Sequence, residues 1–355
     1  MTTDTSSSTP PGSTATASDP ADTARQALVE AAREQGIDPA NAQILQDARN
    51  WVFRLPRGGV VGKVHSRAAH YADVARQART ATALLAAGLP TAAPVGRIAM
   101  ARGHLVSFTE DLGPHQPGER QFGELLARLH RLPPTGFDVA PVDKVARAFD
   151  RLARLRPTAI SDADRDRLHR LLEDAADAYR QAAWPKPCLT HGDITLANSA
   201  LTGRGAALLD LETLGVGHPC FDQAAPRFAV DAFGKDPAAY EAWAAGYGYD
   251  LAAADPRRYE LLVPFLGAAS CLFYLDWADR SRPEARPEAE LRLATLLERR
   301  PFPWGWAPVY VAGNPAADHQ PRGLHRTAGG PGTALSVPHA KVPVPVGNTV
   351  ANMTS

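Results

Sequence analysis

His191-Gly192-Asp193-Ile194-Thr195-Leu196-Ala197-Asn198, followed one strand's length later by Leu209-Asp210-Leu211-Glu212, decides how this chain is read. An Asp and an Asn stand on one short loop, and a second Asp follows an apolar run. Cys188-Leu189-Thr190 reads as a short strand delivering the loop, and Ala206-Ala207-Leu208-Leu209 as a strand ending at Asp210. Gly203-Arg204-Gly205 supplies the turn signal before that strand. A hairpin so built brings Asn198 and Asp210 close enough to share a hard, oxygen-seeking cation that keeps several waters and takes few protein ligands. Phosphoryl transfer uses such groups: a carboxylate to orient an attacking hydroxyl and accept its proton, and oxygen ligands for Mg2+ on the nucleotide phosphates. Asp193 suits the first role, Asn198 and Asp210 the second. His191 is read differently, as a strand-end histidine that hydrogen-bonds backbone and shapes the loop, since the spacing offers it no metal-ligand His partner.

The whole run HGDITLANSALTGRGAALLDLETLGVGHPCFD resembles the aminoglycoside phosphotransferase and choline kinase family of small-molecule kinases. The matching positions are the loop Asp, its downstream Asn, both acids of the second motif, and the Gly217-His218-Pro219 turn leading to Asp222. The resemblance implies an α+β, bilobal, protein-kinase-like fold, with a small β-sheet N-lobe carrying one helix and a larger, mostly helical C-lobe. It implies Asp193 as catalytic base, Asn198 and Asp210 as Mg2+ ligands, and Glu212 as a supporting acid near the metal. The implied phosphoryl donor is ATP or GTP, and the acceptor is a hydroxyl on a small molecule. An aminoglycoside or another antibiotic leads by family frequency, with choline-like amino alcohols, homoserine and sugars left open.

Composition bounds the rest. A chain of 355 residues exceeds the usual single-domain size and predicts about two lobes around a sizeable core. Its 38 basic and 38 acidic residues balance, giving no support to nucleic acid as a partner, which would call for a basic face. Cys188, Cys220 and Cys271 are scattered and odd in number, which argues against a disulfide framework and for a reducing cytoplasm. The longest apolar stretch, Leu261 to Leu275, is shorter than a membrane span needs and is read as a buried helix, so no membrane partner is expected. Residues 1–22 read as a disordered, Ser/Thr/Pro-rich tail without the features of a secretory signal, 23–112 as a nucleotide-binding N-lobe, 113–311 as a C-lobe with the catalytic loop, metal and acceptor sites, and 312–355 as a second disordered tail.

In the N-lobe, Gln43 to Gln46, Trp51 to Leu55 and Val60 to His65 read as three strands, with Pro56-Arg57-Gly58-Gly59 as a turn. Lys63 sits among Val60, Val61 and Val64, where an ammonium is mostly buried and needs a partner. Beside the downstream motifs, it is the expected ligand of the nucleotide α/β-phosphates. Asp47-Ala48-Arg49-Asn50 joins the first two strands and is expected over the nucleotide, with Asn50 opening the second strand as in the family. A helix is predicted from Tyr71 to Ala87, stopped by Gly88. In the family this helix supplies a glutamate to the strand lysine, but here the expected position holds Gln77. A neutral amide gives a weaker bond than a carboxylate, and Asp73 one turn earlier is a candidate to compensate. Arg97 to Ala101 and His104 to Phe108 read as a hairpin leading to an interlobe hinge at Thr109 to Gly113. The resemblance places adenine on backbone groups near Phe108 to Glu110.

In the C-lobe, helices are predicted at Phe122 to His130, Asp162 to Ala183, Phe228 to Phe233, Pro237 to Tyr247, Arg257 to Arg280 and Glu284 to Arg300. His130 reads as a packed or capping histidine. Tyr274, Asp276, Trp277 and Asp279 can face a cationic, hydroxylated acceptor, although aromatic residues with flanking acids at a helix end more often serve packing and solvation. Two other classes compete with a kinase: a pseudokinase that binds nucleotide without turnover, for which Gln77 is the best argument, and a metallohydrolase, which lacks the usual histidine cluster.

Overall fold

In the computed structural model, residues 20–47 and 50–307 are described. The two expected tails fall outside these residues, except that Pro20 to Asp22 already belong to the first helix, α1 (Pro20–Glu34). The small lobe contains β1 (Gln43–Asp47), β2 (Trp51–Leu55), β3 (Val60–Val64), α2 (Tyr71–Ala86), β4 (Pro94–Ala101) and β5 (His104–Glu110). Its five strands form an antiparallel sheet in the order β1-β2-β3-β5-β4.

Strand alternation sorts β3 into two faces. Val60, Gly62 and Val64 are buried, whereas Val61 and Lys63 are partly exposed on the opposite side. The buried face is covered by α1, whose Ala24, Ala27, Leu28, Ala31 and Ala32 follow helical spacing and are all fully buried. Small alanines let the helix lie close on the sheet. A Cβ added at Gly62 would come within 2.4 Å of Leu28 and 3.0 Å of the Phe108 ring.

The large lobe contains α3 (Glu119–Arg131), α4 (Lys144–Arg154), α5 (Asp162–Gln181), β6 (Cys188–Thr190), β7 (Ser199–Thr202), β8 (Gly205–Leu208), β9 (Gly215–Gly217), α6 (Cys220–Phe233), α7 (Pro237–Tyr247), α8 (Leu251–Ala254), α9 (Pro256–Arg280) and α10 (Arg286–Leu297). β7 and β8 form the expected hairpin, and β6 pairs with β9. The helix α9 is long and apolar enough to cross a membrane by length and composition. Here it packs as the core helix of the lobe, with Leu262, Phe265, Ala268, Cys271 and Leu272 buried against α4, α5, α6 and α10. The three cysteines are free thiols.

A second core lies beneath the catalytic loops. It joins Leu84 and Leu89 of the small lobe to Phe122, Leu125, Leu126 and Leu129 of α3, and to Leu189, Ile194 and Leu208 from the loop and hairpin. The chain following α2 is bonded to the hairpin: Leu208 N donates to the Pro90 carbonyl (2.9 Å) and Thr91 Oγ1 to the Leu208 carbonyl (2.8 Å). The two lobes are thus joined just before Asp210.

Two glycines let α3 and α7 approach at backbone contact. A Cβ on Gly246 would fall 2.0 Å from the Arg120 carbonyl oxygen, and one on Gly123 would fall 2.2 Å from that of Trp243. Neither obstacle is a movable side chain, so the helices must separate to admit a methyl. We predict that Gly246→Ala destabilises the fold by about 1–3 kcal/mol in chemical denaturation, as overpacking does; an unchanged midpoint would show that the helices separate without cost.

Candidate functional site

The sheet register delivers Lys63 to the interlobe cleft. Its ammonium donates to Asp210 Oδ1 (2.9 Å) and Glu212 Oε2 (3.2 Å), residues 147 and 149 positions away. Asn50 joins them: its amide donates to Glu212 Oε2 (3.2 Å), and its Oδ1 accepts from Ser66 N (3.0 Å). Burial alone would lower the Lys63 ammonium, but Asp210 and Glu212 outweigh it and raise the group above its ordinary 10.5. Burial likewise pushes the Asp210 carboxyl up, and the charge and hydrogen bond of Lys63, aided by His191, hold it below the usual 3.8. Lys63 and Asp210 both stay ionised at neutral pH.

Asp210 lies beyond the end of β8 with φ +50 and ψ 71, a left-handed backbone, before the single 3-10 turn Leu211–Thr213. For a residue other than glycine this conformation is uncommon and strained, and it occurs at a residue chosen for metal binding on sequence alone.

Asp193 is exposed on the loop after β6, and the 3-10 turn Leu196–Asn198 folds back toward it. The Asn198 amide donates to Asp193 Oδ2 and to the Asp193 carbonyl, each at 3.0 Å. Leu209 N donates to the Asn198 carbonyl (2.9 Å), tying this loop to the strand that presents Asp210. His191 plays the part expected of it. Fully buried, it donates from Nε2 to the Leu209 carbonyl (2.8 Å) and accepts at Nδ1 from Asp193 N (3.4 Å).

Beneath the loop lies Asp222, 2% exposed, which accepts from His191 N at Oδ2 (2.7 Å) and from Gly192 N at Oδ1 (3.0 Å). His130 Nε2 donates to the same Oδ2 (3.2 Å), and its Nδ1 pairs with the Tyr247 hydroxyl (2.8 Å), which accepts from Gln223 Nε2 (2.7 Å). Burial alone would raise the Asp222 carboxyl, but the hydrogen bond and charge of His130, then Lys144 and His191, hold it below 3.8. Gly192 has φ +83, and a Cβ there would meet the Thr213 carbonyl oxygen at 2.7 Å, so the loop requires glycine.

Two expectations are not met by the contacts, and a third reading, packing at the end of α9, is. Gln77 is not the partner of Lys63: the ammonium is taken by the two acids of the second motif, and Asp73, the candidate substitute, pairs with Arg76 on its own helix. Phe108 and Glu110 do not offer free backbone N–H groups to a base. β5 is an interior strand, and its continuation is occupied: Glu110 N donates to the Ala93 carbonyl (2.8 Å) and Asp111 N to that of Gly59 (3.1 Å). The Phe108 ring faces the α1 core. The connection between lobes therefore begins at Asp111, which Arg54 holds at 2.8 Å. At the end of α9, Tyr274 is buried with the Arg292 guanidinium 3.6 Å from its ring centre, Asp276 pairs with Arg280, and Asp279 pairs with Arg156. These residues serve packing and charge balance.

Lys144 was not singled out in the sequence, yet it lies at the first position of α4 with its ammonium donating to the Gly192 carbonyl. The nearest sequence signal was Asp143, which caps α4 by accepting from Ala146 N (2.9 Å).

The family model described as the Phosphotransferase enzyme family matches residues 31–262. Among solved structures, a choline/ethanolamine kinase family protein from Mesorhizobium loti is 20% identical, with a TM-score of 0.58 over 79% of this chain and 95% of its own. Amicoumacin kinase hAmiN, solved with AMP-PNP, Ca2+ and Ami, is 11% identical, with a TM-score of 0.56 over 78% and 95%. Spectinomycin phosphotransferase APH(9)-Ia, solved with ADP and spectinomycin, is 15% identical, with a TM-score of 0.52 over 77% and 98%. No curated protein matches the sequence.

Removing the Asp222 carboxylate leaves His130 and two buried loop N–H groups unpaired. Asp222→Ala is expected to cost about 3–5 kcal/mol in denaturant unfolding. Because the folded pKa is depressed, the carboxylate's contribution is complete above its unfolded pKa and is lost as pH falls through the lower folded value. The gap between wild type and variant should therefore hold from pH 7 to about 5 and close only below about 4; closure already between 7 and 5 would contradict the assignment.

Proposed function

We propose, for a chain that belongs to the phosphotransferase enzyme family, that it moves the γ-phosphoryl group of ATP or GTP to a hydroxyl of a small molecule. The observation that carries this reading is the meeting of Lys63 with Asp210 and Glu212, beside an Asp193–Asn198 pair whose loop is bonded to Leu209, the residue before Asp210. Lys63 orients the nucleotide phosphates. Asp193 orients the acceptor hydroxyl and takes its proton, while the Asn198 amide fixes the rotamer of that carboxylate.

The donor set suits Mg2+. Asn198, Asp210 and Glu212 are hard oxygen ligands, and two carboxylates with an amide match a cation that fills its remaining positions with water and phosphate oxygens. When bound, Mg2+ supplies charge neutralisation at the β/γ-phosphate oxygens. Asn50 holds Glu212 in register with Lys63. Backbone beyond Asp111, rather than Phe108 and Glu110, is the better candidate for reading the base, and Gln77 has no assigned contact with nucleotide.

The pseudokinase alternative rested on Gln77. Lys63 is instead held by two carboxylates, so the missing glutamate no longer argues against turnover. The acceptor class leans on relatives: spectinomycin and Ami accompany two of the solved structures, and another is a choline/ethanolamine kinase family protein. We propose an antibiotic first, with amino alcohols, homoserine and sugars as the comparison set, and a cytoplasmic location.

The test is Mg2+-dependent formation of ADP from ATP, and of GDP from GTP, across that panel, with Asp193→Asn run alongside. One acceptor class should stimulate turnover, and the variant should lose at least about 10²-fold of it while binding nucleotide normally. A fully active Asp193→Asn would defeat the assignment of the base.

A further inference from the structure

The segment before α4 places a cation that none of the motifs contains. Val142 N donates to the Val216 carbonyl (2.7 Å) and Val216 N to that of Ala140 (3.1 Å), so residues 140–142 run along β9 on the side away from β6. A Cβ at Gly215 would strike the Ala140 carbonyl oxygen at 2.4 Å, which keeps this approach open only to glycine. The capped start of α4 follows at once, and Lys144 reaches the Gly192 carbonyl.

Gly192 is therefore held at both ends. Its N–H goes to Asp222 and its carbonyl to Lys144. That carbonyl belongs to the peptide whose nitrogen is Asp193's own, and that nitrogen donates to His191. Rotation of this peptide would swing the Asp193 side chain away from Asn198.

We infer that Lys144 is a positioning residue for phosphoryl transfer: its ammonium locks the Gly192–Asp193 peptide and so aims the Asp193 carboxylate at the acceptor hydroxyl. This rests on Asp193 being the base. The charged groups around the ammonium come from three elements. Asp222 of α6 and Asp193 of the loop favour the protonated form, while Arg147 and Arg151 of α4 oppose it. Burial is the largest influence, and the net result holds Lys144 below its ordinary 10.5. In the alkaline range the ammonium becomes a neutral amine, which keeps N–H donors but loses the charge assistance of its bond, and the hold on the peptide weakens.

The test compares Lys144→Met and Lys144→Arg in the full chain, by steady-state kinetics and by amide hydrogen exchange across 188–198. In the Met variant kcat should fall about 10²-fold, as small misplacements of a reacting group do, with the nucleotide KM within about threefold. Exchange at Gly192 to Ile194 should quicken at least about tenfold without matching change in the small lobe. The Arg variant should recover most of kcat and lose the alkaline fall, because a guanidinium keeps its proton there. A Met variant with kcat within about twofold of wild type, or with unchanged exchange in this segment, would overturn the inference. If the Met variant does not fold, the alkaline limb of Lys144→Arg decides, and a limb identical to wild type overturns it. If no acceptor stimulates the wild type, the kinase reading fails by itself, while the exchange comparison still decides whether Lys144 clamps the loop.

Discussion

One ammonium shared by two carboxylates organises this molecule. Lys63 comes from the middle of a small-lobe strand, and Asp210 and Glu212 from a turn beyond a large-lobe hairpin. Their side chains remain between 19% and 37% exposed, so the cluster is not a buried ion pair and little of the fold's stability needs to come from it. Its importance is in geometry: it sets two carboxylates, oxygen donors of the kind a metal-bound nucleotide would take, against the lysine proposed to hold the phosphates.

The catalytic loop depends on that cluster for register and on the large lobe for rigidity. His191 reaches the Leu209 carbonyl, one residue before the strained Asp210, and Thr213 Oγ1 returns a bond to the His191 carbonyl (2.8 Å). From below, Asp222 gathers the His191 and Gly192 amides with His130, and Lys144 takes the Gly192 carbonyl. The close approach of α3 and α7 through Gly123 and Gly246 sets His130 against Tyr247. Packing at the helix interface thereby determines the geometry of the loop.

What was legible in the sequence followed from local signals. The β7–β8 hairpin was announced by its glycine turn, β2 and β3 by β-branched alternation, and α2 by its apolar spacing and Gly88 stop. The role expected for His191 rested on a strand end, a local fact that its backbone contacts support, and Lys63 stood out as a strand ammonium needing a partner, which Asp210 and Glu212 supply. The rest required tertiary information. The buried stripe of α1 is four alanines and one leucine, too weakly apolar to mark a helix among polar neighbours. The helix α4 is short, and Lys144 matters only because β9 brings its start beside Gly192. The backbone N–H groups of β5 are taken up within the sheet because β5 is interior, which sheet order decides and strand pattern does not show. Gln77 was expected to matter because the lysine needed an acid; the acids came instead from a motif already in hand, used twice.

Calorimetric titration of ATP into the wild type and Asp210→Asn, each with Mg2+ and with chelator, tests the central claim most directly. If the carboxylates around Lys63 serve a metal-bound nucleotide, Mg2+ should tighten wild-type binding at least about tenfold, or roughly 1.4 kcal/mol, and the gain should vanish in the variant. Equal affinity with and without Mg2+, or a gain that survives loss of the Asp210 charge, would contradict it.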